Sequence, residues 1–395
     1  MPLNQGIARL HGEMTGWRRD LHTHPELGFE ETRTADLVAR LLVEFGFDQV
    51  HRGVGRTGVV GTLRAGRGAR AVGLRADMDA LPIREVNTFE HRSRHEGRMH
   101  ACGHDGHTAM LLGAAKYLAA TRNFDGVVHF IFQPAEEGLG GAQAMLADGL
   151  FERFPCEAIF GMHNRPGMPV GKFAVKSGPM MAGGGFFDIQ VTGKGAHGAR
   201  PESGIDPVLV ASHIAVALQS IVSRNIAPTE TAVVSVTRIQ AGEAYNVIPQ
   251  TAQLSGTVRA FSRAVMDLIG ARLPQIAAGV AQAFGAQATS EVRFIFAPTV
   301  NDPEQAEVAA RICADLVGED NVERNPLPIM ASEDFSFMLE RVPGCYLNVG
   351  GGTTEGSCEV HNPAYDFNDA ALPFGASFYA RLIETRLAAG GGSRI

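Results

Sequence analysis

Residues 8–21 and 32–45 carry apolar side chains at helical spacing, and Gly46 ends the second run. Two strand-like runs follow as a pair, 59–64 and 71–76, with Gly66-Arg67-Gly68 as the turn between them. Residues 108–118 read as a buried helix. The short continuous apolar runs 126–132 (GVVHFIF) and 158–162 (AIFGM) suit strands covered on both faces, and a helix begins at 142–148 between them. Strands alternating with helices predict an α/β fold with a mixed, largely parallel sheet flanked by helices. Ligands of such sheets gather at the carboxyl ends of strands. Asp77, Glu136, Glu137 and His163 all fall there.

The pattern changes after Met181-Ala182-Gly183-Gly184-Gly185. From Phe186 the polar–apolar alternation reads as a half-exposed strand, followed by a helix at 207–223 and strands at 231–240 and 253–260. A helix at 264–284 and a strand at 291–296 complete this segment. The expected organisation is an α+β satellite domain, 183–298, inserted into a first domain made of 1–182 and 299–395. That domain resumes with a helix at 303–317, a capped helix start at Ser332-Glu333-Asp334-Phe335, a strand at 345–350 and a closing helix at 370–387. No internal repeat is present, and the glycines at 390–392 are the only low-complexity stretch.

A chain of 395 residues is too long for one ordinary core, which agrees with two domains. With 45% hydrophobic and 19% charged residues, the composition is that of a well-packed globular protein. The formal net charge of −7 offers no basic footprint for nucleic acid or an anionic membrane. No signal-peptide pattern is visible, and no apolar run approaches the roughly 18 residues of a spanning helix, so a cytoplasmic location is expected. The 5 cysteines are odd in number and none forms C-x-x-C, which argues against a disulfide framework or a zinc ribbon.

Chemistry concentrates in Met99-His100-Ala101-Cys102-Gly103-His104-Asp105-Gly106-His107, a loop at a helix start. Imidazole and thiol together suit a borderline-soft divalent metal. Glu136-Glu137, just past a buried strand, offers one carboxylate as ligand and its neighbour as general base; like charges this close raise at least one pKa. His163 and His361 are single histidines near strand ends, and each taken alone is better read as a satisfied polar residue than as a ligand. Asp77 and Asp79 flank Met78 at the end of a strand, and only one is expected to face the site, as a ligand or as support for a ligand imidazole. There is no G-x-S-x-G, H-E-x-x-H, Walker A loop or strand-linked G-x-G-x-x-G. A cysteine hydrolase with Cys102 as nucleophile would need that thiol free of metal.

Taken together, Arg18-Arg19-Asp20-Leu21-His22-Thr23-His24-Pro25-Glu26, Leu74-Arg75-Ala76-Asp77-Met78-Asp79-Ala80-Leu81-Pro82 and the Met99 to His107 loop carry a resemblance. Phe132-Gln133-Pro134-Ala135-Glu136-Glu137-Gly138, Gly161-Met162-His163, Gly195-Ala196-His197, Asn246-Val247-Ile248-Pro249, Ser332-Glu333-Asp334-Phe335 and His361-Asn362-Pro363 extend it over nearly the whole chain. The sequence resembles the metal-dependent amidohydrolases that include hippurate hydrolase, N-acyl-amino-acid aminoacylases and auxin-conjugate hydrolases, within a wider aminoacylase and carboxypeptidase superfamily. The resemblance implies a zinc-peptidase-like catalytic domain whose Cys102, His104, Glu137, His163 and His361 hold two divalent ions (Zn2+, Mn2+, Ni2+ or Co2+). Cys102 would bridge them, where the wider superfamily uses aspartate, and Glu136 would be the general acid/base. It also implies a satellite domain that mediates a homodimer or higher homo-oligomer. His197 would polarise the scissile carbonyl, in relatives often in the partner subunit's site, with Asn246 and Arg259 at the substrate's carboxylate end. The expected substrate is an N-acyl amino acid; a dipeptidase or carboxypeptidase with the same centre is the alternative. His100 and His107 are expected to give supporting hydrogen bonds, and His22 and His24 to order the N-terminal turn.

Overall fold

A computed structural model describes residues 4–353 and 358–388; the glycines at 390–392 lie outside the described residues. The chain divides into two compact units, Met1–Gly178 with Val300–Leu327 and Asp334–Ile395, and Pro179–Thr299 with Pro328–Glu333.

The first unit is organised by an 8-stranded sheet. At its centre Gly126–Gln133, Ala71–Asp77, Ala158–Pro166 and Gly344–Gly352 lie side by side and run parallel. Every residue of Gly126–Gln133 is buried, as its unbroken apolar run requires of a strand covered on both faces. The helix His104–Thr121 packs against Ala71–Asp77 and against the closing helix Leu372–Arg386. It buries Met110, Leu111, Leu112 and Leu118 completely. Each such side chain contributes roughly 2 kcal/mol of transfer free energy, so the loop before this helix starts from a firm base. The shared direction of the central strands brings their carboxyl ends to one edge of the sheet.

Two local expectations are corrected, and one strand that the pattern did not predict is present. The runs 59–64 and 71–76 are strands, Gly58–Ala65 and Ala71–Asp77, but not a pair, because Gly126–Gln133 inserts between them. Gly58–Ala65 runs antiparallel to Gly126–Gln133 on one side and to Gln49–Val54 on the other, whose half-polar, partly exposed sequence hides an edge strand. The helix at 335 starts as Phe335–Leu339 without a side-chain cap. Asp334 instead accepts from Gln133 Nε2 at 2.6 Å and from the Ala142 amide at 2.9 Å.

The second unit carries a 4-stranded antiparallel sheet in the order Ala232–Ala241, Thr251–Ala260, Gly183–Thr192, Gln287–Phe296. With Pro207–Ser220 and Arg263–Ala283 this is a split β-α-β-β-α-β arrangement. Alternate residues of Thr251–Ala260 are buried, so one face of the sheet meets the helices and the other is polar. Pro207–Asn225 and Arg263–Ala283 are long and apolar enough, by length and composition, to cross a membrane. This corrects the reading from apolar runs, which scattered polar residues such as His213 and Gln219 had interrupted. Both helices bury one face in this unit's core, through Ile214 and Leu218 and through Ile269 and Leu273.

Candidate metal centre

Three loops at the carboxyl edge of the first unit's sheet converge with the loop that carries His361. The first follows Ala71–Asp77, whose strand conformation ends at Asp77. Asp77 and Asp79 both point inward, as residues two apart on an extended chain do, which corrects the expectation that only one would face the site. Asp77 Oδ1 lies 2.6 Å from His107 Nδ1, and its Oδ2 accepts from Arg75 Nη1 at 2.8 Å. Asp79 receives His104 Nδ1 on its carbonyl oxygen at 2.9 Å and the Glu137 amide on Oδ2 at 3.0 Å. Asp79 therefore ties two candidate ligands together.

Gly103 opens the helix His104–Thr121 in a left-handed conformation, φ 94°, and a Cβ there would lie 2.4 Å from Asn164 Oδ1. That turn sets Cys102 and His104 on either side of the bend. The Glu136-Glu137 turn is equally tight. Ala135 has φ 51°, and a Cβ on Gly141 would come within 1.6 Å of the Pro134 oxygen. Strain of this kind persists only where surrounding contacts over-determine it. Here the Ala135 amide donates to the buried Glu31 Oε1 at 2.8 Å.

The candidate ligand atoms fall into overlapping groups. Cys102, His104 and His163 form one, Cys102, Glu137 and His361 another, and His104, Glu136 and Glu137 a third, each with its ligand atoms within 4.8 Å of one another. Cys102 is common to the first two. Cys102 Sγ is 3.3 Å from His163 Nε2, and Glu137 Oε1 is 3.2 Å from His361 Nε2. The Nδ1 of His104 is taken by Asp79 and that of His163 by the Asn164 carbonyl at 2.6 Å. Each Nε2 is thereby aimed at the shared space, the pattern by which proteins orient metal-binding imidazoles. His104 Nε2 and Glu137 Oε1 are buried without a hydrogen-bond partner. Buried polar atoms left so are costly unless a cation meets them, and these donors fit one.

Electrostatics agree. Burial, backed by the neighbouring His107, lowers His163 to about 3, leaving a neutral imidazole able to ligate. Burial also works against a charged His104, but Asp77 and Cys102 outweigh it and hold its pKa well above the ordinary value. Burial and then Glu137 push the Cys102 thiol well above its usual range. A thiolate at that position needs a cation beside it, which weakens the case for Cys102 as a free nucleophile.

Glu136 is buried, and its Oε1 accepts from the Asp334 amide at 3.4 Å. His107 gives the supporting hydrogen bonds expected of it, to Asp77 and to Asn164 Oδ1 at 2.6 Å. His100 does not: both ring nitrogens are buried without a hydrogen-bond partner. His24 Nδ1 pairs with the Asp20 carbonyl at 2.9 Å, which orders the N-terminal turn. Asn164 is the functional neighbour that residue spacing did not single out. Its place beside His163 near the carboxyl end of the strand Ala158–Pro166 is the signal that could have found it.

In the second unit His197 and Asn246 are brought together. Ala196–His197 pairs with Val247–Ile248, and the Gly198 amide donates to the Asn246 oxygen at 2.7 Å. Both residues are exposed. His197 Nδ1 accepts from the Ala199 amide at 3.1 Å, which leaves Nε2 for a ligand. Arg259 is half-buried in the sheet, where burial lowers its pKa, and its Nη1 donates to Thr257 Oγ1 at 2.6 Å.

Residues 73–385 match the model of peptidase family M20/M25/M40. The chain is 45% identical to a hippurate hydrolase of Campylobacter jejuni, over 97% of this chain and 98% of that one. It is 42% identical to an IAA-amino acid hydrolase of Arabidopsis thaliana, over 93% and 84%. Among solved structures, a dinuclear metal-binding peptidase of family M20 from Bacillus subtilis superposes with a TM-score of 0.83 at 35% identity, covering 96% of this chain and 99% of that one. The fold, the donor set and these similarities converge: the chain belongs to peptidase family M20/M25/M40 and is a metal-dependent amidohydrolase.

Proposed function

We propose that this enzyme hydrolyses the amide bond of N-acyl amino acids, releasing a carboxylate and a free amino acid, with two divalent ions held by Cys102, His104, Glu137, His163 and His361. The observation that carries the reading is the pair of ligand groups sharing Cys102, with Glu136 buried beside them. Divalent ions at that place would supply Lewis acidity and make water a stronger acid. Glu136 takes the proton of the attacking water and returns it to the leaving nitrogen, as a positioned carboxylate can. Asp79 holds the His104 imidazole in register, and Asp77 holds His107 against Asn164. His197 is assigned the developing oxyanion, and Asn246 and Arg259 the substrate's carboxylate. The satellite domain, 183–298 in this reading, is assigned a second copy of the chain; the exposed Ile239 on the edge strand Ala232–Ala241 and Val216 on the neighbouring helix support that. The cytoplasm is the proposed compartment, and zinc, manganese, nickel and cobalt are the candidate ions.

A dipeptidase or carboxypeptidase reading uses the same centre, and the peptidase relative from Bacillus subtilis favours it. A hydrolysis screen on metal-reconstituted enzyme separates the two. Benzoyl-, acetyl- and indole-acetyl-amino acids should be cleaved faster than dipeptides with a free amine. Preference for the free amine would overturn the acyl assignment.

A further inference from the structure

A second buried polar cluster lies beside the metal centre without contributing a ligand to it. At its middle is Arg18, fully buried on the helix His11–Thr23. Its Nη2 donates a hydrogen bond to Asp366, while its Nε and Nη1 form ion pairs without hydrogen-bond geometry, at 3.1 Å from Asp105 Oδ2 and 3.7 Å from Asp369 Oδ1. His22, one turn further along the helix, places Nδ1 2.8 Å from Asp105 Oδ2 and Nε2 3.2 Å from Glu85 Oε1. Burying this much charge is expensive, and the chain meets that cost where two site-bearing loops come together.

Those loops are distant in sequence. Asp105 follows ligand candidate His104 directly. Asp366 and Asp369 lie in the segment that follows His361, whose side chain is about half exposed and whose φ is 65°. That segment is irregular as far as the short turn at Asp369–Ala371. Its direct backbone links to the rest of the site are the His361 amide to the Ala101 oxygen at 2.7 Å and the Val86 amide to the Pro363 oxygen at 3.0 Å. A guanidinium is planar and presents donors on more than one edge, so one side chain can hold carboxylates from both loops at a set spacing, which an ammonium cannot.

We propose that Arg18 is a positioning residue that sets the spacing between the Cys102–His104–His163 and Cys102–Glu137–His361 ligand groups, by clamping Asp105 and Asp366 on one buried guanidinium. This rests on the two-metal reading above. The clamp does not touch substrate. It fixes where His361 stands relative to the shared Cys102, so its loss is felt first by the ion that depends on His361.

The test is cobalt titration of the chelated protein, followed by calorimetry and by the thiolate-to-cobalt charge-transfer absorption. Asp366→Asn, at a partly exposed carboxylate, should leave folding intact; Arg18→Lys keeps the charge but loses the fork. Wild type should bind two ions. Both variants should keep one ion with the thiolate signature, while Kd for the other rises about tenfold or more, the usual effect of removing support behind ligands. Unchanged affinity for both ions overturns the clamp. Equal weakening of both also overturns it, because general loss of stability would do the same. If wild type binds fewer than two ions, the two-metal reading itself fails and the clamp with it. A wild type with two ions and unaltered variants sinks the clamp alone.

Discussion

The two units hold their candidate residues in opposite ways. In the first, His104 and Glu136 are buried, and the second nitrogen of both His104 and His163 is occupied by an oxygen of the same unit. In the second, His197 and Asn246 sit exposed on a two-residue ladder, held mainly by backbone hydrogen bonds. Rigid burial suits groups that must meet an ion with sub-ångström tolerance. Exposed residues on short ladders suit contacts to a substrate that must enter and leave. Chemistry and substrate choice should therefore respond differently to mutation.

The largest effect is expected from Glu136→Gln. It should lower kcat by about 10²–10⁴, the range for removing a positioned base, while metal content by atomic absorption stays at the wild-type level. Near-normal turnover would remove Glu136 from the reaction. Next comes His197→Ala, where kcat should fall about 10²–10³ with metal content unchanged. Full activity in that variant would leave the second unit without a part in the chemistry, and the contrast drawn above would lose its functional meaning.

Asp79→Asn probes the rigid side more gently. Metal affinity should weaken about 10–100-fold, measured by competition with a chromogenic chelator. An unchanged affinity would mean that the carboxylate contacts, Oδ1 to His104 Nδ1 at 3.2 Å and Oδ2 to the Glu137 amide, are incidental. The smallest effect concerns Glu31, which supports the Ala135 amide. Burial pushes its carboxyl up to about 7, against the lowering effect of Thr57 and the backbone amides. A folded pKa above the unfolded value of 4.5 means that the folded state holds more protons between those pH values. Glu31's stabilising contribution is thus present below about pH 4.5 and lost as pH rises towards 7. Glu31→Gln in the chelated protein should raise Tm by a few degrees at pH 8 and little at pH 5. Parallel melting curves for variant and wild type across that range would contradict the assignment.

Local pattern reveals some parts of this molecule and conceals others. The continuous run at 126–132 and the polar residues just after it were legible, because a strand buried on both faces leaves few other readings. Gln49–Val54 was not, since an edge strand with one wet side has no distinctive composition. The separation of 59–64 from 71–76 by an inserted strand is a matter of topology that turn residues do not encode. Asp79 was legible beside Asp77, because residues two apart on an extended chain share a face; expecting only one of the pair at the site was too strict. The Arg18 cluster is hidden for a deeper reason. Its partners, Asp105 and Asp366, are scattered over the chain, and only folding gives them a common address. His100 shows the converse: a histidine in a metal-rich motif whose ring nitrogens find no hydrogen-bond partner.

The central claim is that amide hydrolysis here depends on two divalent ions held around Cys102. The most direct measurement follows hydrolysis of an N-benzoyl amino acid as the EDTA-treated enzyme is titrated with Zn2+, Mn2+, Co2+ or Ni2+. Activity should vanish on chelation and return in full only as the second equivalent per chain is added. Hydrolysis that survives the chelator would contradict the claim and return Cys102 to the role of nucleophile.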